Sequence, residues 1–304
     1  MDRFRLIYFY TMRIFPSLFF LLFLFSCEVR KSAEFNTNFS SLFSKNVSQQ
    51  TSIINPEGKT VKARILPPMG FQRVSAAENS FSAYLRQVPL KPHGSKVRYY
   101  DGREKDNYNV YIAVADLKIG KKDLHQCADA VMRLRAEYLY SIKAYDQIHF
   151  NFTNGFRADY TEWIKGKRIS VKGNNCSWVK SAAASNTYND FWNFLEMVFT
   201  YAGTLSLEKE LDPVNINDIR SGDVFIKGGS PGHAVIVMDV AKESSTGKTL
   251  FLLAQSYMPA QELQLLTNPN NPAISPWYST DFSGLLETPE WTFRKQDLRR
   301  FKEQ

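Results

Sequence analysis

The spacing of apolar residues changes along the chain, from a helical period in its first half to strand patterns in its second. Apolar residues recur every three or four positions over Leu124–Lys143, which predicts a helix with Asp123 as N-cap and Gln126 closing a capping box. The same period predicts a shorter helix over Ser80–Arg86 and a second long helix over Asn189–Leu211.

Three later segments predict strands in meander order: Asp223–Ile226, His233–Val240 and Thr249–Ser256. Turn residues separate them at Gly228–Gly232 and again at Ser244–Gly247. Helices followed by an antiparallel meander indicate an α+β domain. Further strands are predicted over residues 96–100, 110–117, 149–153 and 291–294.

The N-terminus has the pattern of a secretory signal. Arginines precede an apolar run over residues 14–25, which is shorter than the ~20 residues a membrane span needs. The ending Leu-Phe-Ser-Cys27 resembles the lipobox of bacterial lipoproteins. That resemblance implies a signal peptide over residues 1–26, a lipid on Cys27 and a place in the bacterial cell envelope, outside the cytoplasm. An ordinary signal peptide, an uncleaved anchor and a start at Met12 remain alternatives.

Composition then divides the rest of the chain. Residues 27–62 are rich in Ser, Asn, Lys and Gln, which predicts a flexible tether, and residues 63–304 predict a single globular domain. The chain carries a net charge of +8, and removal of residues 1–26, which carry +2, leaves +6. Because no dense basic run is interleaved with aromatic residues, nucleic acid is not an expected partner.

Cys127 is the first candidate for chemistry. A helix N-terminus presents unpaired N–H groups and the positive end of the helix dipole, and both favour a thiolate. The competing interpretation is a buried small hydrophobe on the apolar stripe of the helix. A disulfide between Cys127 and Cys176 also stays open, and it would remove the nucleophile.

His233 is the second candidate, because it directly follows Pro231-Gly232 and opens its strand at the sheet edge. A turn histidine without a catalytic role is the alternative. By alternation Asp239 shares the strand face of His233, but it lies roughly 20 Å further along the strand, too far to orient the imidazole ring. The next strand returns beside His233, so Gln255 or Ser256 is expected near the ring, and the register decides which.

The segment from Gly222-Asp223 to Gly232-His233-Ala-Val-Ile-Val resembles the Gly-Asp…Gly-His-Val-Gly-Ile element of papain-like amidases and peptidases of the NlpC type. The resemblance implies a papain-like α+β fold with helices packed on an antiparallel sheet. It also implies Cys127 as nucleophile, His233 as base and Gln255 as a possible orienting residue. Two departures stand out: Gln126 replaces the usual acidic residue, and residues 144–220 form an insertion between the cysteine helix and the histidine hairpin.

A second resemblance covers most of residues 65–300. It rests on four strings, at residues 84–92 (Tyr-Leu-Arg-Gln-Val-Pro-Leu-Lys-Pro), 126–138 (Gln-Cys-Ala-Asp-Ala-Val-Met-Arg-Leu-Arg-Ala-Glu-Tyr), 199–204 (Phe-Thr-Tyr-Ala-Gly-Thr) and 254–261 (Ala-Gln-Ser-Tyr-Met-Pro-Ala-Gln). These strings resemble the bacterial family called domain of unknown function 4846. That resemblance implies an envelope lipoprotein and carries no activity.

Other kinds of site have weaker support. The four histidines show no spacing such as H-E-x-x-H, and His125-x-Cys127 would need distant partners to hold zinc, so neither a metal nor a cofactor is expected. The aromatic residues Tyr257, Trp277 and Tyr278 are candidates for lining a substrate cleft, with core packing as the alternative.

These patterns together favour a membrane-anchored thiol hydrolase, an amidase or peptidase, that cleaves amide bonds of the cell envelope such as those of peptidoglycan. A noncatalytic lipoprotein that binds cell wall or an envelope protein is the alternative. An acyltransferase with the same residues would differ only in the acceptor. The lipid on Cys27 would make the membrane a partner in each case.

Overall fold

The computed structural model describes residues 52–302. The expected signal peptide, Cys27 and most of the expected tether lie outside these residues. The first described residues correct the tether boundary, because they already pack on the domain. Ile53 and Ile54 contact the hydrophobic core, Ile54 pairs with Ile65, and a short helix, α1, covers Val61–Arg64.

The central helix, α3, begins three residues later than the sequence predicts. It covers Cys127–Ser141, and its N-cap is Gln126 rather than Asp123. The Asp123 carboxylate instead accepts from the Ala260 backbone N–H at 2.6 Å, and the Asp129 carboxylate accepts from the Gln126 N–H at 2.9 Å. Cys127 is therefore the first helical residue. The other helices are α2 (Phe81–Gln87), α4 (Tyr160–Ile164), α5 (Tyr188–Tyr201) and α6 (Thr204–Glu210), with 3₁₀ turns at Tyr145–Gln147, Ile216–Asp218 and Lys295–Asp297.

The second predicted long helix is two helices, α5 and α6. Its apolar period continues across the junction, but the backbone at Ala202 and Gly203 is extended and ends the hydrogen-bond ladder of α5. Ser206 Oγ then accepts from the Gly203 N–H at 3.1 Å, which starts α6. The break brings the start of α6 against the start of α3, where both border the same cleft.

Nine described strands form one antiparallel sheet. They are β1 (Phe71–Arg73), β2 (Tyr111–Val114), β7 (Leu211–Pro213), β8 (Val224–Lys227), β9 (His233–Glu243), β10 (Thr249–Gln255), β11 (Gln264–Leu266), β12 (Tyr278–Ser279) and β15 (Leu298–Phe301). Their order is β2-β11-β10-β9-β8-β15-β7, with β1 added to β9 and β12 added to β10. The three predicted meander strands are β8, β9 and β10. The predicted strand over residues 96–100 is absent from the described chain, since that segment makes only isolated bridges.

Residues 144–220, the predicted insertion, carry two separate hairpins and helices α4 to α6. The hairpins are β3–β4 (His149–Asn151 and Arg157–Asp159) and β5–β6 (Lys167–Lys172 and Asn175–Lys180), and a further small pair near the C-terminus is β13–β14 (Leu286–Glu287 and Thr292–Phe293). Within the described residues, no helix has the length and hydropathy to cross a membrane.

The two faces of the sheet bury two separate cores. Ile236 of β9 faces the core that α3 covers, while Val235 and Val237 face the core that the C-terminal segment covers with Leu286 and Phe293. This arrangement follows from the alternation of side chains along a strand. The helix and the C-terminal segment therefore approach the start of β9 from opposite faces of the sheet.

A β-bulge interrupts the alternation in the middle of β9. Val240, rather than Asp239, shares the core of Val237, so the bulge turns Asp239 to the other face. The sequence assigns Asp239 to the face of His233, and that assignment is wrong because strict alternation does not allow for the bulge. Asp239 accepts there from Arg73 Nε at 2.5 Å and Arg86 Nε at 2.7 Å.

Candidate active site

Cys127 is placed where α3 meets the first residues of β9. The backbone N–H groups of Ala128 and Ala234 face its sulfur, and both lower the pKa of the thiol. Burial, and secondarily the Asp129 carboxylate, outweigh them and raise the pKa of Cys127 to about 11. The side chain is 8% exposed. The helix N-terminus therefore does not produce a thiolate at neutral pH in this arrangement, because desolvation of the sulfur is the larger effect.

His233 is the first residue of β9 and is buried. Its Nε2 lies 2.8 Å from Gln255 Oε1, and the ring centroids of Tyr257 and Trp291 are 4.7 and 5.4 Å from its own. Burial lowers the pKa of His233 to about 4; the Gln255 hydrogen bond opposes this shift and the charge of Lys105 adds to it. The imidazole is therefore neutral at pH 7.

Gln255, not Ser256, partners the ring, and this settles the question that the register left open. Gln255 Nε2 donates to Glu290 Oε2 at 2.6 Å, so Gln255 Oε1 is the atom that faces His233. Oε1 can only accept, so the neutral imidazole carries its proton on Nε2 and leaves Nδ1 as an acceptor.

Lys105 and Glu290 complete a polar chain behind the imidazole. Lys105 Nζ donates to Glu290 Oε2 at 2.6 Å, and its side chain is 4% exposed. Sequence reasoning missed both residues. They lie 185 positions apart, on loops without a recognisable motif, so no local pattern pointed to them.

The thiol and the imidazole meet the start of β9 from opposite faces of the sheet: His233 packs on Trp291 and Phe293 of the C-terminal segment, and Cys127 begins the helix that covers the other face. Within the described chain no hydrogen bond joins the side chains of Cys127 and His233; the link between them is the Ala234 N–H, one residue beyond His233. The Tyr257 ring packs on His233, and the pKa of its hydroxyl is raised by burial and then by the charges of Glu290 and Cys127. Catalytic hydrogen bonds are often long before substrate binds.

An open cleft of about 390 Å³ reaches Cys127. The first turn of α3, the start of α6 and the turn before His233 form its walls. Met258, which is exposed, borders it. Among the residues that line it, Asp129 is the one with an ionisable carboxylate, and none is Lys, Arg or His.

The three predicted cleft aromatics separate into two groups. Tyr257 is half-buried beside His233, so it remains a candidate for ligand contact. Trp277 is fully buried and donates from Nε1 to the Leu66 carbonyl at 2.8 Å, while Tyr278 is 2% exposed and its hydroxyl donates to the Thr267 carbonyl. The prediction for Trp277 and Tyr278 is therefore wrong, since neither side chain has surface to offer a ligand.

The remaining cysteine and histidine questions have direct answers in the structure. Cys127 and Cys176 both carry free thiols, and Asn154 Nδ2 donates to Cys176 Sγ at 3.2 Å. The buried His125 points Nδ1 at the Gln261 carbonyl, 3.2 Å away, and its Nε2 has no partner. The described residues hold no cluster of three or more His, Cys, Asp or Glu side chains that would bind a metal ion.

A comparison with known protein families identifies the family of this chain. The family described as domain of unknown function 4846 matches residues 61–300, which is most of the chain and includes every residue of the candidate site. No curated protein and no solved structure matches the sequence or the fold. The match runs from helix α1 to the last strand of the sheet, and on this evidence the chain belongs to the domain of unknown function 4846 family.

Proposed function

We propose that the protein is a thiol hydrolase, an amidase or peptidase that acts on amide bonds of the cell envelope, with peptidoglycan peptides as the substrate class. One observation carries the proposal: an imidazole held by Gln255 Oε1 at 2.8 Å lies one residue from the peptide N–H that faces the Cys127 sulfur. Nucleophile, base and orienting group, the three parts of a cysteine-hydrolase site, thus come from three separate segments.

The reaction would proceed through a thioester. The Cys127 thiol gives its proton to His233 Nδ1 while the sulfur bonds to the carbonyl carbon of the amide. The C–N bond then breaks, and the departing amine takes the proton from His233. Water, activated by the same nitrogen, next hydrolyses the thioester and restores the thiol. The N–H groups of the first turn of α3 have no partner within the helix and would hold the oxyanion.

Cys127 and His233 are both neutral in the free protein, and this makes the first proton transfer unfavourable. With the pKa of Cys127 at about 11 and that of His233 at about 4, proton transfer from sulfur to nitrogen is uphill before substrate binds. Bound substrate must therefore narrow the difference between the two pKa values.

The papain-like fold and the lipid on Cys27 belong to the same proposal. The polar residue on the strand after the histidine strand and the order Cys127, His233, Gln255 support a papain-like arrangement. A lipid on Cys27, about 25 residues before the first described residue, would hold the domain close to the membrane. The segment between them would be long enough for the domain to reach the cell wall.

A noncatalytic envelope lipoprotein that binds cell wall or another protein is the second candidate. The observation that favours it is the state of the thiol, which is 8% exposed and has a pKa raised to about 11. Alkylation near neutral pH is slow on both interpretations for this reason, so turnover is the deciding measurement.

The test is release of new amino groups from purified peptidoglycan by the full chain and by matched variants. We expect Cys127→Ala and His233→Ala to reduce the rate at least about 10³-fold, because the nucleophile or its base is lost. Cys176→Ala and His93→Ala change a thiol and an exposed imidazole elsewhere, and should keep the wild-type rate. Equal rates for Cys127→Ala and wild type would contradict the proposal. Wild-type protein that binds peptidoglycan without cleaving it would favour the noncatalytic candidate.

A further inference from the structure

The buried acidic residues of the described chain differ in whether they form an ion pair. Within residues 52–302, four acidic side chains are buried: Asp129, Asp223, Asp239 and Glu262. Three of them form ion pairs, with Arg300 for Asp223, Arg73 and Arg86 for Asp239, and Lys91 for Glu262. Asp129 forms none with any basic side chain of the described chain, and burial raises the pKa of its carboxyl well above the usual value, so a cation would be needed to favour its charged form. Buried carboxylates are rarely left without a cation or an equivalent partner, because desolvation of the charge is costly.

Asp129 also has one oxygen to spare. Its Oδ2 accepts from the Gln126 backbone N–H at 2.9 Å, and within the described chain no donor reaches its Oδ1. The residue is 6% exposed and lines the cleft that leads to Cys127. The cleft has no basic side chain of its own, so a cation near Asp129 would have to arrive with a ligand.

We infer that Asp129 receives an ammonium group of the substrate, so that the site takes amides that carry a free amino group close to the scissile bond. The inference rests on the proposed function for the identity of the reacting thiol. It names a substrate class, amino-bearing peptides, within the wider set of envelope amides. Asp129 would pair with the ammonium through Oδ1 while Oδ2 keeps its bond to the Gln126 N–H.

An ammonium group on Asp129 would also narrow the difference between the pKa values of Cys127 and His233, as the mechanism requires. The Asp129 carboxylate is one cause of the raised pKa of Cys127, after burial. An ammonium group paired with that carboxylate offsets its charge, which lowers the pKa of the thiol and eases proton transfer to His233. A neutral or anionic substrate would leave the thiol protonated. Charge recognition and activation of the nucleophile are then one event.

A purely structural role for Asp129, as the carboxylate of the α3 capping box, predicts something different. A cap contributes to helix stability and does not distinguish cationic from anionic ligands. Asp129→Asn separates the two roles, because asparagine keeps an oxygen that accepts from the Gln126 N–H and removes the charge.

The first test uses two methanethiosulfonate reagents of similar size and opposite charge, 2-(trimethylammonium)ethyl and 2-sulfonatoethyl. Their rates of reaction with the full chain at pH 8.5 are followed at Cys127 and Cys176 separately by peptide-mapping mass spectrometry. The quantity compared is the ratio of the rate with the cationic reagent to the rate with the anionic reagent at each cysteine. We expect this ratio to be at least about tenfold higher at Cys127 than at Cys176. Asp129→Asn should bring the ratio at Cys127 to that at Cys176, and Asp116→Asn, an exposed acid elsewhere, should leave it unchanged. A ratio that does not respond to Asp129→Asn would overturn the inference.

A second test needs no reactive thiol. Lysinamide, with N-acetyl-lysinamide bearing one positive charge fewer and sodium chloride as ionic-strength control, is titrated into Cys127→Ser and into Cys127→Ser with Asp129→Asn. We expect lysinamide to bind at least about tenfold more weakly to the double variant, by calorimetry or by the shift in Tm. Equal binding would refute the role of Asp129. Release of amino groups from peptidoglycan at equal rates by Cys127→Ala and wild type, beside Asp129-dependent binding of lysinamide, would refute the nucleophile and retain the amine site, so the two failures are distinguishable.

Discussion

The two ends of strand β9 handle buried polar groups in opposite ways. Near its C-terminal end Asp239 is fully buried and lies between two arginines, at 2.5 Å from Arg73 Nε and 2.7 Å from Arg86 Nε. At its beginning His233 is buried among neutral partners and aromatic rings, and the nearby Asp129 has no cation.

The two ends differ in whether their buried polar atoms have protein partners. In the Asp239 cluster each carboxylate oxygen accepts from an arginine, and these bonds join β1, α2 and β9. At the His233 end, one oxygen of Asp129 lacks a protein partner beside an open cleft, and one ring nitrogen of the buried His233 has no hydrogen-bond partner in the described chain. Incomplete polar groups are costly to stability, so their position beside a thiol favours a role in binding or catalysis.

The largest expected effect is a difference in unfolding free energy between two variants, each of which loses one carboxylate, Asp239 at one end or Asp129 at the other. Asp239→Asn should lower the free energy of unfolding by about 3–5 kcal/mol, because two partly buried guanidinium groups lose their anion. Asp129→Asn should change it by less than about 1 kcal/mol or raise it, since no cation loses a partner and a desolvated charge is removed. Urea unfolding at pH 7 measures both.

Asp212→Asn is the matched control, because that carboxylate is exposed and lies 3.8 Å from Lys302 Nζ. It should shift the free energy of unfolding by under about 0.5 kcal/mol. If Asp129→Asn proved as destabilising as Asp239→Asn, the contrast between the two ends would not hold, and Asp129 would be a structural residue.

Acid should remove the stability that the two buried histidines of the described chain contribute at neutral pH, while Glu210, whose pKa burial raises to about 7, shifts stability in the opposite direction. Burial lowers the pKa of His233 to about 4 and that of His125 to about 3, so the folded state binds fewer protons than the unfolded chain, whose histidine pKa is about 6.5. Their contribution is complete above about pH 6.5 and is lost as the pH falls towards the folded pKa values. Between pH 7 and pH 5 each histidine should cost about 2 kcal/mol of unfolding free energy.

Chemical unfolding at pH 7 and at pH 5 measures this loss. His233→Gln should reduce the difference between the two pH values by about 2 kcal/mol, whatever its effect on stability at pH 7. His93→Gln, an exposed histidine, should leave the difference as it is. An unchanged pH dependence in His233→Gln would show that the imidazole is not held in its neutral form.

The smallest expected effect tests how Glu290 positions Gln255. Glu290→Gln should reduce kcat/KM about tenfold, or about 1.4 kcal/mol, because Gln255 Nε2 loses the carboxylate that keeps Oε1 turned to His233. A double-mutant cycle distinguishes positioning from general damage: in a Gln255→Ala background, Glu290→Gln should have little further effect. Glu287→Gln, an exposed acid nearby, is the control. Additive losses in the cycle would contradict a role exerted through Gln255.

Local patterns predicted the elements that local forces decide. Helix α2 begins after Ser80, whose Oγ accepts from the Ala83 N–H at 3.2 Å, and the β8–β9–β10 meander follows the predicted turns. Gln255 was within reach of prediction because the length of the hairpin fixes which residues return beside His233.

Tertiary contacts decided the rest. The Ala260 N–H binds the Asp123 carboxylate and removes it as a helix cap, so α3 starts at Cys127. The Cys127 pKa was expected to fall at a helix N-terminus, and burial reversed its direction. Trp277 was indistinguishable in sequence from a cleft residue such as Tyr257, because aromatic side chains serve in cores and in sites alike.

The polar chain of Gln255, Glu290 and Lys105 behind His233 affects the order in which parts of the site form during folding. Its contacts join residues 22, 35 and 185 positions apart, from His233–Gln255, Gln255–Glu290 and Lys105–Glu290 respectively. Contacts of such high sequence separation close late, since each must overcome the entropy of a long loop. The thiol helix can form early from local contacts, but His233 is oriented only after the segment that carries Glu290 has docked. Chains that stop short of Glu290 would then carry the thiol without its oriented base, which couples competence at the site to completion of the whole domain.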